Sequence, residues 1–137
     1  MKRLFAVIVL SIYLVCFGFA CCVQAEEVET RASEYIAGRS LNLSKNNGAV
    51  VATTSISCYD KCDKIGFSSL TIQENRNGVW TTVSSTSAYA YDARAFSKSL
   101  VYANIKSGKQ YRAKCTYVVK EGSTTETRYS TTGALTV

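Results

Sequence analysis

Lys109-Gln110-Tyr111-Arg112-Ala113-Lys114-Cys115-Thr116-Tyr117-Val118-Val119-Lys120 is the stretch that decides the fold. On an extended chain, Tyr111, Ala113, Cys115, Tyr117 and Val119 share one side, and Arg112, Lys114, Thr116 and Val118 share the other. Successive side chains of extended backbone point to opposite sides, so this period of two marks a strand with one buried face. Ser107-Gly108 breaks the chain before it, Glu121-Gly122 turns it afterwards, and Thr125–Val137 supplies a final strand.

The same pattern extends upstream. Leu41 and Leu43 alternate with Ser40, Asn42 and Ser44, and Asn46-Asn47-Gly48 then offers residues tolerant of positive φ, a strong hairpin signal. Ala49–Cys58 resumes as a strand with Val50, Ala52, Thr54, Ile56 and Cys58 on one face, and Ile65–Gln73 is the next. A second turn closes on Asn77-Gly78, and Val79–Val83 returns from it. Ser84–Arg94, rich in Ser, Ala and Tyr, has no period and reads as a long crossing or an irregular edge. Phe96–Ala103 alternates again. No window beyond residue 34 carries a helical period, so the expected fold is all-β. About seven short strands predict a single antiparallel immunoglobulin-like or fibronectin type III-like sandwich, with a barrel as the alternative.

The N-terminal residues have a different character. Met1-Lys2-Arg3 precedes an apolar run from Leu4 to Val23, and Val23-Gln24-Ala25 ends in an A-x-A-like site. A positive n-region, an apolar core and small residues at the cleavage site predict a signal-peptide helix over 1–25, cut between Ala25 and Glu26. The expected location is secreted, or extracellular. An uncut apolar run long enough to cross a bilayer would instead anchor the protein in the membrane with the domain outside. Ala20-Cys21 leaves a lipoprotein reading open, although Gly18 stands where a lipobox has an aliphatic residue. Residues 26–34 are polar and read as a flexible tail, which leaves 35–137 as one sandwich domain.

The whole chain carries a net charge of +6, and the part beyond residue 25 keeps +4. No run of basic residues marks a nucleic-acid footprint, so no nucleic-acid partner is expected. Beyond the signal the cysteines are Cys58, Cys62 and Cys115, an odd number. Cys58 and Cys115 lie on strands that face each other across an immunoglobulin-like core, which makes them the first candidate disulfide, with Cys62 free. Cys58–Cys62 and Cys62–Cys115 are the alternatives, and three free thiols remain open. Loop closure is worth about 4 kcal/mol for the long link and roughly 2 for the short one, but geometry decides.

Neither chemistry nor metal binding is expected. The chain has no histidine, so Ser–His and Cys–His pairs are absent, and zinc lacks its usual ligand set. Asp60 and Asp63 beside Lys61 and Lys64 supply too few oxygens for calcium. No glycine-rich phosphate loop occurs. Catalytic, cofactor and metal sites are therefore all expected to be none, and the chain is expected to be no enzyme.

Ile105-Lys106-Ser107-Gly108-Lys109-Gln110-Tyr111 resembles the entry into the sixth strand of fibronectin type III domains, with Tyr111 as the candidate tyrosine corner. Asn47-Gly48, Leu70-Thr71-Ile72-Gln73, Gly78-Val79-Trp80-Thr81-Thr82-Val83, Gly108–Arg112, Glu121-Gly122 and Glu126 together resemble a domain-of-unknown-function family over residues 35–137. Its members are small exported proteins of Gram-positive bacteria. The resemblance implies a secreted sandwich and carries no catalytic residues. Unlike fibronectin domains, this chain has no proline, and its tryptophan follows the third strand.

Binding is the expected role: a secreted or surface-associated interaction module for an extracellular protein, a glycan or an anionic cell wall. The alternative is a small effector such as a protease inhibitor or antibacterial protein. Self-assembly through edge strands is a third reading. Tyr59, Tyr89 and Tyr91 are candidate contact aromatics in expected loops. Arg112, Lys114 and Arg128 are candidates for one outer face that attracts wall polyanions.

Overall fold

The computed structural model describes residues 33–137. The signal-peptide helix, its cleavage site at Ala25/Glu26 and the tail as far as residue 32 lie outside the described residues. Among the described residues there is no helix. Six strands follow one another: β1 (Ile36–Asn46), β2 (Ala49–Arg76), β3 (Val79–Tyr102), β4 (Gln110–Glu121), β5 (Thr124–Thr131) and β6 (Leu135–Thr136). These residues are all-β, and every strand pair is antiparallel.

Two Asn-Gly pairs set the frame. Asn47 and Gly48 take φ of 48° and 75° between β1 and β2, and Asn77 and Gly78 take 56° and 84° between β2 and β3. Positive φ at both central residues is what a two-residue hairpin requires, because that twist matches the strands it joins. Asn75 Oδ1 accepts the Gly78 N–H at 2.8 Å and steadies the second turn.

Fewer and longer strands form than the sequence pattern predicts. The expected strands at Ala49–Cys58 and Ile65–Gln73 are two parts of β2, which is 28 residues long. Ser84–Arg94 is neither a crossing nor irregular: it is the middle of β3. Its lack of period has a physical cause. β3 lies at a sheet edge and none of its residues is fully buried, so along Ser84–Arg94 small side chains such as Ala90 and Ala93 suffice against the core.

β2 is the spine. β3 runs along one of its edges for nearly its whole length. Along the other edge β1 pairs with Ala49–Cys58, and β4 then takes over from Lys64 to Glu74. β5 and the short β6 lie beyond β4. Between the two parts of β2 is a crease. Pairing steps from Ser57–Ala95 to Cys62–Ala93, so β2 spends five positions where β3 spends two, and Asp92 takes φ of 47°. Extra residues in one strand bend it and increase the local twist. The sheet curls into an open half-barrel, and its two parts face each other across the core.

That core is built by the alternation read from the sequence. Val50, Ala52, Thr54, Ile56 and Cys58 are all buried, as are Tyr111, Ala113, Cys115, Tyr117 and Val119. Phe67 beyond the crease packs on Phe96 before it, with ring centroids 5.4 Å apart, and meets Tyr117 edge-on at 5.6 Å. The buried hydroxyls are satisfied in a relay. Thr54 donates to Tyr117 Oη at 3.0 Å, and Tyr117 donates to the Ser40 carbonyl at 2.9 Å. Burial raises the pKa of Tyr117, which keeps the hydroxyl a donor. The two parts that face each other across the core are thus halves of one hydrogen-bonded sheet.

Candidate functional site

The register defines a second, outer face on the part of the sheet beyond the crease. Directly opposed residues of antiparallel strands project to the same side. Rows therefore run Tyr91–Lys64–Lys120–Thr125, Tyr89–Gly66–Val118–Thr127, Ser69–Thr116–Tyr129, Ser85–Thr71–Lys114–Thr131 and Thr82–Gln73–Arg112, with Trp80 beside Asn75 at the end. Lys64, Arg112, Lys114 and Lys120 are its cations, and none of these rows contains an aspartate or glutamate. Tyr91 and Tyr129 are 70% and 71% exposed.

Local contacts hold part of this face in place. The Arg112 guanidinium lies 4.3 Å from the Trp80 ring centre, and its Nε donates to Gln73 Oε1 at 2.8 Å. The Lys64 ammonium sits 3.9 Å from the centre of the Tyr89 ring. Both are cation–π contacts. Gly66 makes the second contact possible: a Cβ there would meet the Ala88 carbonyl oxygen at 2.2 Å and Tyr89 Cα at 2.7 Å. Lys64 and Lys120 are direct cross-strand partners. Like charges directly opposite destabilise a sheet, and an anion would relieve the repulsion.

The candidate contact residues separate into three places. Tyr89, Tyr91, Arg112 and Lys114 share the outer face. Tyr59, 56% exposed, is at the crease instead. Arg128 does not join Arg112 and Lys114, because it pairs opposite inward-facing Tyr117. Its Nη2 is 3.0 Å from Oε1 of buried Glu126. That ion pair lacks hydrogen-bond geometry, so Oε1 has no hydrogen-bond partner, whereas Oε2 accepts the Tyr35 N–H at 3.0 Å. The one-step register of β5 against β4 places even-numbered β5 residues with odd-numbered β4 residues, and this parity puts Arg128 on the other side. Lys64, Lys120, Trp80 and Tyr129 are outer-face residues that the sequence reading did not single out. Lys120 shares the parity of Arg112 and Lys114 and was legible in the strand pattern. The other three depend on strand pairing.

Tyr111 sits where β4 begins. Its hydroxyl accepts the Lys106 N–H at 3.0 Å and donates to Glu74 Oε2 at 2.7 Å. Arg76 Nε reaches Glu74 Oε1 at 2.9 Å. Glu74 is 1% exposed. The Tyr111 hydroxyl first, and Arg76 second, hold its carboxyl below the usual carboxylate range, against the opposing effect of burial. Burial raises the Tyr111 pKa. This group ties β2 to β4 and to the segment before β4, which is a structural task.

Among the described residues the three thiols, of Cys58, Cys62 and Cys115, are free and buried. Cys58 and Cys62 are neighbours at the crease. Burial first, and the Cys62 thiol second, push the Cys58 pKa up to about 12. Cys115 is placed apart from them, its sulfur 3.7 Å from the Thr54 hydroxyl, and burial raises its pKa as well. Such thiols are poor nucleophiles at neutral pH. A pocket of about 320 Å³ opens beside Cys62, lined by Glu34, Tyr35, Tyr59, Asp60, Lys61 and Glu121. Nearby, the Asp63 N–H donates to Glu121 Oε2 at 3.0 Å, and the Gly122 N–H donates to Asp63 Oδ2 at 2.8 Å. Among the described residues no three His, Cys, Asp or Glu side chains group as metal ligands.

No family model matches the chain, and no curated protein matches it.

Proposed function

We propose that this protein is a non-enzymatic interaction module of the cell exterior, and that its outer sheet face binds an anionic polymer such as the cell wall. One observation carries the reading: the four cations of that face have no carboxylate among them, and two of them oppose each other directly. Arginine and lysine on a surface without counter-charges raise the local concentration of polyanions. Flanking hydroxyls, amides and aromatic rings offer hydrogen bonds and flat apolar contact to the repeating units of a polymer.

Export is the companion proposal, resting on the Met1–Ala25 pattern, and membership of the Gram-positive exported family is proposed with it from the motifs within residues 35–137. The fold belongs to this proposal too: an immunoglobulin-like or fibronectin type III-like sandwich whose layers are joined through two creased strands. The bond from the Lys106 N–H to the Tyr111 hydroxyl supports it, since a tyrosine corner makes the same kind of upstream bond.

Cosedimentation of the full-length protein with purified cell walls across a salt series tests the function. Binding is expected at low salt and should fade as ionic strength rises. The double charge reversal Lys114→Glu/Lys120→Glu should weaken it by tenfold or more, while Arg128→Glu should change it much less. Failure of the unaltered protein to sediment with walls at low salt would end this reading.

A further inference from the structure

β3 has a second, unoccupied edge. It pairs with β2 alone, and no backbone hydrogen bond joins its other edge to any described strand. A long unpaired edge presents a row of N–H and C=O groups that can template another strand. Proteins block such edges with charge, proline, bulges or covering segments. Within β3 the blocking features lie at the ends of one run. Val83 is the extra residue of a bulge, and Asp92 carries the positive φ. Between them Ser84–Tyr91 (Ser-Ser-Thr-Ser-Ala-Tyr-Ala-Tyr) has no charge, no proline and no glycine. The bulge at Ser68/Ser69 opposite this run is on β2, so β3 itself stays regular. β1, by contrast, carries Arg39 and Lys45, and β5 carries Glu126 and Arg128.

We propose that two copies of this chain join antiparallel through Ser84–Ala90, about a two-fold axis at Ser87. A homotypic pair suits this run for a steric and an electrostatic reason. With Ser87 opposite its own copy, each Tyr89 faces a Ser85, each Ala88 a Thr86 and each Ala90 a Ser84. Large side chains meet small ones, every pair keeps to one face of the sheet, and no charge is brought against its like. A chain that approaches as a second copy supplies this match on both sides at once, which is the self-complementarity that a two-fold interface requires.

The axis of such a pair is perpendicular to the sheet, so the two outer faces lie on the same side. Their cations form one continuous surface of double width, with Tyr89 and Tyr91 beside the seam. Joined faces would grip a polymer by linking two binding events. That consequence rests on the polymer reading; the pairing does not.

Sedimentation equilibrium on the full-length protein tests the pairing without any polymer present. The mass should rise with concentration from one chain to two. Ser87→Lys sets two ammonium groups opposite each other at an exposed position and should remain a single chain throughout. Ser87→Cys should form a covalent dimer with oxidised glutathione, which takes up the two electrons and two protons, and the dimer should disappear with dithiothreitol. Thr125→Cys, on β5, should not crosslink. The proposal is overturned if the unaltered protein stays a single chain at every concentration reached while Ser87→Cys fails to crosslink. It is equally overturned if Ser87→Lys associates as well as the unaltered protein, or if Thr125→Cys crosslinks as readily as Ser87→Cys. Should Ser87→Lys fail to fold, the two cysteine variants decide the matter.

Discussion

The two faces of the sheet beyond the crease treat polar groups in opposite ways. On the inner face Glu74, Tyr111 and Tyr117 are each buried and each bonded. On the outer face Lys114 and Lys120 are exposed with no ion-pair partner among the described residues. A buried polar group without a partner carries a desolvation penalty of about 1–3 kcal/mol, so burial enforces pairing. Water removes that pressure outside, and cations there persist unpaired at small cost. The inner face spends its polarity on the fold, while the outer face keeps it available for a ligand.

The largest break in this contrast should come from Phe67→Ala. It empties the space between Phe96 and Tyr117, and such truncations cost about 3–5 kcal/mol. Urea unfolding should show it, with polymer binding retained under conditions where the variant is folded. Tyr111→Phe comes next. It keeps the ring but strips Glu74 and the Lys106 N–H of a partner, for a loss of about 1–3 kcal/mol by the same measurement.

Acid and alkali sharpen the comparison through inner-face groups alone. The folded pKa of Glu74 lies below its unfolded value, so on acidification the unfolded chain takes up the proton first. Its contribution is whole above the ordinary carboxylate range and is lost as pH falls through the folded value. In Tyr111→Phe that loss should be smaller and should end at higher pH, because the first cause of the depression is gone. Cys58 works in the opposite sense. Its folded pKa is raised to about 12 from an ordinary value of 9.0, so the unfolded thiol ionises first. Stability should therefore decline as pH climbs from that ordinary value towards about 12, and Cys58→Ser should flatten this limb. Thermal melts across pH read both limbs.

The smallest effect carries the sharpest sign. Lys120→Thr removes one partner of the Lys64–Lys120 pair and should raise stability at low salt by about 0.2–1 kcal/mol. The same substitution should weaken cell-wall binding. Added salt should erase the stability gain.

Much of the inner face was legible before any strand was paired. The five buried positions of β4 and the five at the start of β2 follow from a period of two, and both Asn-Gly turns fall where the hairpins close. Ser84–Arg94 was not legible, because an edge strand with two half-wet faces needs no apolar alternation. The break expected between Cys58 and Ile65 proved to be a crease within one strand, since a bulge keeps the chain extended while redirecting it. Of the outer face, Arg112 and Lys114 were readable from parity along β4. Lys64 and Trp80 come from β2 and β3 and reach the same surface only through cross-strand register.

By itself the amino-acid order determined that the chain beyond residue 34 is extended, where two of its turns fall, and which side of β4 is buried, because side-chain alternation and positive φ at Asn-Gly are local properties. Tertiary structure alone decided that β1 and β4 share one edge of β2, that Arg128 turns away from Arg112 and Lys114, and that Cys58 lies beside Cys62 while Cys115 meets Thr54. Those outcomes depend on pairing between residues distant in sequence, and a one-residue slip in register would have exchanged the two faces.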